Sequence, residues 1–390
     1  MTPDMLASAR STGVSAVLRL VLTEFRNYAS LRLSLNASPV VLTGPNGSGK
    51  TNLLEALSLL VPGRGLRRAR IAELGRHLSP AFAAWAVAIG VQTPEGPAEI
   101  GIGRDPQAAE KGRERRLLRI NGRDPRSQAA LGGVLRASWL TPEMDRIFLE
   151  GPGGRRRFLD RLAYGFDAAH ATRLADYTRA MRERTRLLEE ETADTGWLVA
   201  LEETMAENGA AIAATRRDYL HQVSAAVAEA TGPFPGAALS LRGTLEAWLE
   251  EADAAAVALR FRARLQALRA RDRAAGLATE GPHRSDLRVH HLVKGMPAAT
   301  CSTGEQKALL IAILLADARL QTARRGSPPL LLLDEVAAHL DAIRVKALFE
   351  AIAGLGAQAW VTGTDAALFW PLQGRAQFFR VLEGAVIAEG

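Results

Sequence analysis

One cysteine, Cys301, stands among 390 residues, which excludes an internal disulfide and a metal site built from cysteines. No run of about 18 consecutive apolar residues is present, the length a membrane-spanning helix needs. Residues 1–14 are small and polar rather than a basic start followed by an apolar core. These absences point to a soluble, cytoplasmic protein that is not secreted and has no membrane partner. Internal repeats and low-complexity stretches are also missing. Lysine is scarce: Lys50, Lys111, Lys294, Lys307 and Lys346 stand among 49 basic residues, and the rest are arginine.

The remainder is ordinary for a globular chain, with 47% hydrophobic and 23% charged residues and enough length for two or three cores. A net charge of +7 and a sequence pI of about 10.0 favour an anionic partner. Spread over this length, they do not by themselves establish DNA binding.

Gly44-Pro45-Asn46-Gly47-Ser48-Gly49-Lys50-Thr51 matches the phosphate-loop pattern GxxxxGK[ST] at every fixed position. It follows the apolar, β-branched run 39–43 and precedes a helical run, 51–57. Strand, glycine turn and helix start together form an anion cradle: backbone N–H groups wrap phosphates at the positive end of a helix. Lys50 would reach the β- and γ-phosphates of ATP and Thr51 would ligate Mg²⁺. A lysine here is informative in an arginine-rich chain, because the loop needs a compact ammonium rather than a planar fork.

Residues 16–35 alternate apolar and polar in two runs broken at Phe25-Arg26-Asn27-Tyr28, as in a hairpin. The runs 85–91, 99–102 and 116–120, the last ending in the turn signal Asn121-Gly122, predict an antiparallel layer beside the loop. From about 151 to 276 long Ala/Leu/Glu/Arg stretches with a period near 3.6 predict a helical insertion, interrupted at Gly232-Pro233-Phe234-Pro235-Gly236. Mixed strand and helix signals then return, with short strands near 377–382 and 385–388.

Far downstream, Leu330 to Leu333 reads as a buried parallel strand ending in Asp334-Glu335. Beside the phosphate-loop strand, Asp334 would hold Mg²⁺ and Glu335 would polarise the attacking water. Asp334 lies 284 positions beyond Lys50, so a large module must be inserted into the nucleotide domain. Between them, Ser302-Thr303-Gly304-Glu305 reads as a capping box opening a helix over 308–320. That helix start is also a phosphate-binding surface. In ABC-type ATPases it contacts the nucleotide held by a second subunit, and the order of loop, Ser-x-Gly, Asp-Glu and Leu340-Asp341 is that superfamily's order. The reading is α/β: an ABC/SMC-like phosphate-loop ATPase head with an inserted, mainly helical arm. Its divisions are a flexible N-terminus (1–14), a first head segment (15–145), the arm (146–280) and a second head segment (281–390). ATP would lie between two chains, on Asn46, Gly47, Ser48, Gly49, Lys50, Thr51 and Asn52 of one and Ser302, Gly304 and Asp341 of the other. Thr362 or Thr364 would take the place where many transporter ATPases put a histidine.

Taken together the motifs resemble the bacterial RecF recombination mediators. The resemblance rests on Phe25 to Tyr28, residues 44–56, Thr141-Pro142-Glu143, Gly151-Pro152 with Arg155 to Asp160, residues 281–287, and residues 301–307. It implies ATP-dependent dimerisation on DNA and weak, DNA-stimulated hydrolysis that drives release. It also implies work with RecO and RecR to load RecA at single-strand gaps, in gap repair, replication restart and the SOS response. Relatives often carry Asp-Asp at 334–335, and Ser-Phe before the arginine resembling Arg67, so this chain departs at both places. Arg67, Arg68, Arg70, Arg155 and Arg156 are candidates for contact with DNA phosphates, as is the arginine run 260–273. Arg157 could instead pair with Asp160, and Arg284 could brace the nucleotide site. His283 reads as structural. No base-reading motif is present, so DNA binding would be sequence-independent and salt-sensitive. The rival readings are a transporter ATPase subunit, an SMC-like chromosome protein and a scaffold that binds ATP without turnover.

Overall fold

The computed structural model describes residues 13, 15–76, 84–125, 127–190, 194–229 and 232–389. Nearly all of the N-terminal segment expected to be flexible, residues 1–12 and 14, lies outside them.

The chain enters as a hairpin, β1 (Ala16–Phe25) and β2 (Tyr28–Ser34), and passes through β3 (Val40–Thr43) and helix α1 (Lys50–Ser58). It returns to the hairpin as β4 (Ala86–Thr93), β5 (Gly96–Arg104), the short α2 (Pro106–Glu110) and β6 (Arg116–Ile120). These strands form the expected antiparallel layer, in the order β2-β1-β4-β5-β6. At its far end Asn121 and Gly122 both take positive φ, 50° and 75°, the conformation that made Asn-Gly a turn signal.

After β7 (Ala137–Leu140) come α3 (Pro152–Phe166), α4 (His170–Glu189), the 34-residue α5 (Thr195–Ala228), β8 (Ala237–Arg242), α6 (Thr244–Trp248), α7 (Ala254–Ala267) and α8 (Arg269–Ala275). The path ends with β9 (Asp286–His291), β10 (Met296–Pro297), α9 (Thr303–Arg325), β11 (Leu330–Leu333), α10 (Ala342–Leu355), β12 (Ala359–Gly363), β13 (Gln377–Leu382) and β14 (Ala385–Glu389).

The second sheet runs β14-β13-β3-β12-β11-β7 and is parallel apart from the β13–β14 pair. Its inner strands are apolar without alternation because both faces are covered. Val41, Leu331, Leu333 and Val361 point into a core with α3, α9 and α10. Val40, Leu42, Leu330, Leu332 and Trp360 point the other way, onto α1 and the antiparallel layer. Each leucine of β11 is fully buried, contributing about 1.5–3 kcal/mol relative to exposure. One expectation is corrected here: β11 does not lie beside β3, because β12 pairs with both and separates them. Local hydrophobicity identifies a buried strand but does not specify its neighbour.

Within the segment expected as an arm, Tyr177, Met205, Leu245, Val257 and Phe261 meet in a separate core, while Phe158, Leu162, Tyr219 and Val223 join the core of the parallel sheet. α5 and α7 approach so closely at Gly209 that a Cβ there would lie 2.9 Å from the Phe261 ring. Arg184, fully buried, donates to Glu202 (3.0 Å), Asp272 (2.7 Å) and the Leu265 carbonyl (2.7 Å), tying α4 to α5, α7 and α8. With all three acceptors in place the buried guanidinium is compensated, and removing one would leave an uncompensated charge. The segment also contains β8, which pairs antiparallel with β9. A three-stranded sheet, β10-β9-β8, therefore straddles the boundary expected at 280.

Candidate nucleotide site

The loop between β3 and α1 is shaped by glycines in conformations that a Cβ disfavours: Gly44, Gly47 and Gly49 hold φ of 144°, 79° and 115°. A side chain on Gly44 would come within 2.2 Å of the Val381 carbonyl, and one on Gly49 within 2.4 Å of Asn27 Nδ2. The space above Gly47 is open, so a ligand can approach the backbone there. α1 begins at Lys50 with no side-chain cap, and its positive end faces the loop. Ser48 Oγ is buried without a hydrogen-bond partner, a donor oriented for an acceptor the chain does not supply.

Lys50 Nζ donates to the carbonyls of Gly44 (2.7 Å) and Pro45 (2.9 Å) and lies 3.8 Å from Glu335 Oε1. Burial lowers its pKa, while Glu335 and Asp334 oppose the shift. Thr51 Oγ1 lies 3.0 Å from both carboxylate oxygens of Asp334. The interposed strand β12 matters at this point, since it delivers Thr362. That hydroxyl, fully buried, donates to Asp334 Oδ1 (2.7 Å) and accepts from the Glu335 N–H (2.9 Å). Glu335 itself sits at φ 49°, a conformation non-glycine residues hold only when their surroundings fix it. Thr362 is thus a support for the acidic pair, whereas Thr364 is exposed.

The hairpin tip grips the loop from outside. Asn27 Nδ2 donates to the Ser48 carbonyl (3.0 Å), Tyr28 Oη to the Gly49 carbonyl (3.0 Å), and Asn52 Nδ2 to Asn27 Oδ1 (2.7 Å). Arg26 is bidentate to the buried Glu55 of α1 at 2.8 and 2.7 Å. Arg67 reaches Asn52 Oδ1 (2.7 Å) and Glu55 (3.3 Å). Asn46 and Gly47 complete the loop, exposed at its tip.

At the other motif, the Ser302 amide donates to Glu305 Oε2 (3.0 Å). Lys294, with that amide, holds the Glu305 carboxyl down to about 2. Ser302 is exposed, and a Cβ on Gly304 would lie 3.5 Å from the His339 carbonyl. The start of α9 therefore packs against the turn leading to Asp341, which is exposed and caps α10 by accepting from the Arg344 amide (2.8 Å). Sequence reasoning missed Lys307. Buried on α9, it donates to the Glu335 carbonyl (3.1 Å) and pairs with Asp145 (3.3 Å), linking this helix to the acidic pair. The available signal was its being one of five lysines.

The arginine candidates divide. Arg155 is committed to Asp286 (2.7 Å) and to the carbonyl of Glu150 (2.6 Å), and Arg156 donates to the Ser285 carbonyl (2.7 Å). Both brace α3 through these bonds. In the 260–273 run, Arg262, Arg264 and Arg269 pair with Glu203, Glu280 and Glu202, and Arg260 lies over Trp248. Arg284 donates to the Ala278 carbonyl (3.1 Å), away from the nucleotide loop. Arg68 and Arg70 are exposed. Arg157 does not pair with Asp160, whose carboxylate is taken by Arg216 (2.7 and 2.8 Å) and His170 (2.9 Å).

A parallel sheet joined to an antiparallel layer, with the phosphate loop and the Asp334-Glu335 strand end meeting through Thr51, is the head of an ABC/SMC-type ATPase. The fold is similar to that of the recombination mediator protein RecF solved with ATPrS (TM-score 0.84, 23% identity, 98% of this chain and 100% of that one). It is also similar, less closely, to an Smc head bound to the C-winged helix domain of ScpA (TM-score 0.55, 15% identity, 96% and 97%). The family described as RecF/RecN/SMC N terminal domain matches residues 16–378. The DNA replication and repair protein RecF of Mesorhizobium japonicum is 50% identical over 372 residues, covering 95% of this chain and 97% of the relative. That of Brucella suis is 49% identical over 371 residues, 95% of each. The chain belongs to the RecF family of DNA replication and repair proteins.

Among the described residues no helix is long and apolar enough to cross a membrane.

Proposed function

We propose that the protein is an ATP-gated DNA clamp whose nucleotide site is completed by a second copy of the chain. The observation that carries this reading is the division of the motifs. Lys50, Thr51, Asp334 and Glu335 converge at the end of the parallel sheet, while the exposed Ser302 and Asp341 cap α9 and α10 and Gly304 packs on the intervening turn at His339. Asn46, Gly47, Ser48, Gly49 and Asn52 would wrap the phosphates of one ATP, with Lys50 exchanging its loop carbonyls for phosphate oxygens. Ser302, Gly304 and Asp341 of the other chain would close over the γ-phosphate.

Mg²⁺ fits the residues present. The hydroxyl of Thr51 and the carboxylate of Asp334 are hard oxygen donors already within 3.0 Å of each other. A site with one or two protein oxygens, completed by phosphate and water, is the usual Mg²⁺ arrangement. Bound there, the ion would neutralise charge on the β- and γ-phosphates. Glu335 would orient and polarise water, and Thr362 and Lys307 hold its backbone from two sides.

ATP binding would close two heads on DNA, and slow hydrolysis would release them. Family membership supports a place among the recombination mediators, acting with RecO and RecR to load RecA at gapped or junction DNA in the cytoplasm. The test is binding to duplex, single-strand and gapped DNA with and without ATP across a salt series. Retention that depends on ATP supports the clamp; equal binding without ATP contradicts it.

A further inference from the structure

Beside the nucleotide loop, and containing none of residues 44–52, lies a cavity of about 420 Å³ between the segment following α1 and the start of α3. Arg64, Arg68 and Arg157 line it, are exposed, and form no ion pair among the described residues. This contrasts with the stretch from α4 to α8, where most arginines are paired. Gly154 also lines it, in the first turn of a 15-residue helix that has no acidic residue there and a glycine N-cap with no side chain to offer. The open positive end of α3 thus adds to the guanidinium charge. Arg161, buried with its guanidinium 4.5 Å from the Trp139 ring centroid, also lines the cavity; its Nη2 donates to the Trp139 carbonyl (2.8 Å) and its Nε has no partner. Glu143 and Glu150 also line the cavity and reduce its positive charge without pairing to these arginines.

Partial burial of its inner end, together with the neighbouring Arg157 and Arg64, lowers the pKa of Arg68. Holding like charges together around an empty space costs stability, which is expected of a site shaped for a ligand rather than for the fold. The only lining arginine tied to α1 is Arg67, through Asn52 and Glu55.

We infer that this cavity is a polyanion site that takes a backbone phosphate of a DNA strand, with Arg64, Arg68 and Arg157 as its ligands. The inference rests on the DNA-binding reading above and locates that contact. A polynucleotide suits it better than a free nucleotide, because the chain's glycine loop already serves the latter. Guanidinium forks at an open mouth suit phosphate oxygens bidentately, and Tyr164 on the wall offers a ring to the adjoining sugar or base. Arg67 would couple occupancy of this cavity to Asn52 at the nucleotide loop.

The test uses the full chain with Arg68→Ala combined with Arg157→Ala, and separately Arg157→Lys. Fluorescence anisotropy with a labelled gapped duplex is read across a salt series, and ATP affinity and thermal midpoint are read on the same preparations. The double variant should bind DNA at least roughly tenfold more weakly, with the slope of log K against log salt reduced by about 1–2. Its ATP affinity should match the wild type and its melting temperature should be no lower, because repulsion has been removed. Arg157→Lys, which keeps the charge, should retain the slope. A double variant that binds DNA like the wild type overturns the cavity assignment alone, whereas a wild type that binds no DNA overturns the functional reading as well. Loss of ATP affinity with DNA binding intact would make this part of the nucleotide site, and a lower melting temperature would make the arginines structural; either overturns the inference.

Discussion

Thr362 offers the sharpest separation of structural from catalytic effects, because its one hydroxyl serves both acidic residues. Thr362→Val keeps the shape of the side chain and removes the 2.7 Å bond to Asp334 and the 2.9 Å bond from the Glu335 amide. The site is fully buried, so water does not replace either bond. A lost bond to a carboxylate and an N–H left unpaired together destabilise by about 2–4 kcal/mol. Part of that cost appears as lower stability and part as misplacement of Glu335, whose φ of 49° is sustained by its neighbours. If half falls on the transition state, turnover drops roughly five- to thirtyfold, since about 1.4 kcal/mol is a factor of ten. ATP affinity, which the proposal assigns to the glycine loop and Lys50, should change little. Steady-state ATP hydrolysis, nucleotide binding and urea unfolding on one preparation measure all three quantities, with Thr362→Ser as the restoring control. Lower stability with unchanged turnover would refute the reasoning that Thr362 positions the acidic pair.

Glu335→Gln should bind ATP and stall with dimers retained on DNA; dissociation as fast as in the wild type would remove Glu335 from the hydrolytic role. Lys307→Met removes the buried ammonium that joins α9 to the Glu335 carbonyl and Asp145, and we expect turnover to fall more than ATP affinity, with parallel losses in both contradicting a positioning role. His283 accepts from Tyr177 Oη through Nδ1 (2.7 Å) and donates through Nε2 to the Ala278 carbonyl (2.9 Å). Burial, more than the adjacent Arg284, lowers its pKa from 6.5 to about 4. The unfolded chain therefore binds the extra proton between those values. The contribution, about 3 kcal/mol, is present above pH 6.5 and lost as pH falls through about 4. Chemical unfolding of wild type and His283→Gln across that window checks the sign: the wild type should lose more stability on acidification.

The parts of the site legible in the sequence were those encoded by contiguous residues. The loop from Gly44 to Thr51 needs its glycines for reasons local to the turn, and the β11 leucines with Asp334-Glu335 declare a buried strand and its exposed end. Partners chosen across the fold were not legible. The motif order brought Thr362 or Thr364 to the site, but nothing near 359–363 announces that β12 will separate β3 and β11 or that Thr362 will bond Asp334. Arg155 and Arg157 lie on one helix turn, yet one meets Asp286, 131 positions away, and the other faces a cavity. Glu280, Glu202 and Glu203 likewise absorb arginines that composition alone would offer to DNA. The hairpin tip, legible as a turn, acquires its grip on the Ser48 and Gly49 carbonyls only in three dimensions.

The central claim, that one chain holds half of each ATP site, is tested most directly by mixing two inactive variants. Lys50→Ala lacks the loop ammonium and Ser302→Arg blocks the edge presented to a partner, so each alone should hydrolyse almost no ATP. In a mixed dimer the Lys50 of one chain meets the Ser302 of the other, restoring one of two sites. An equal mixture should therefore recover roughly a quarter of wild-type turnover, because about half of randomly formed symmetric dimers become mixed ones. A mixture no more active than its separate components would contradict a composite site and return catalysis to the single chain.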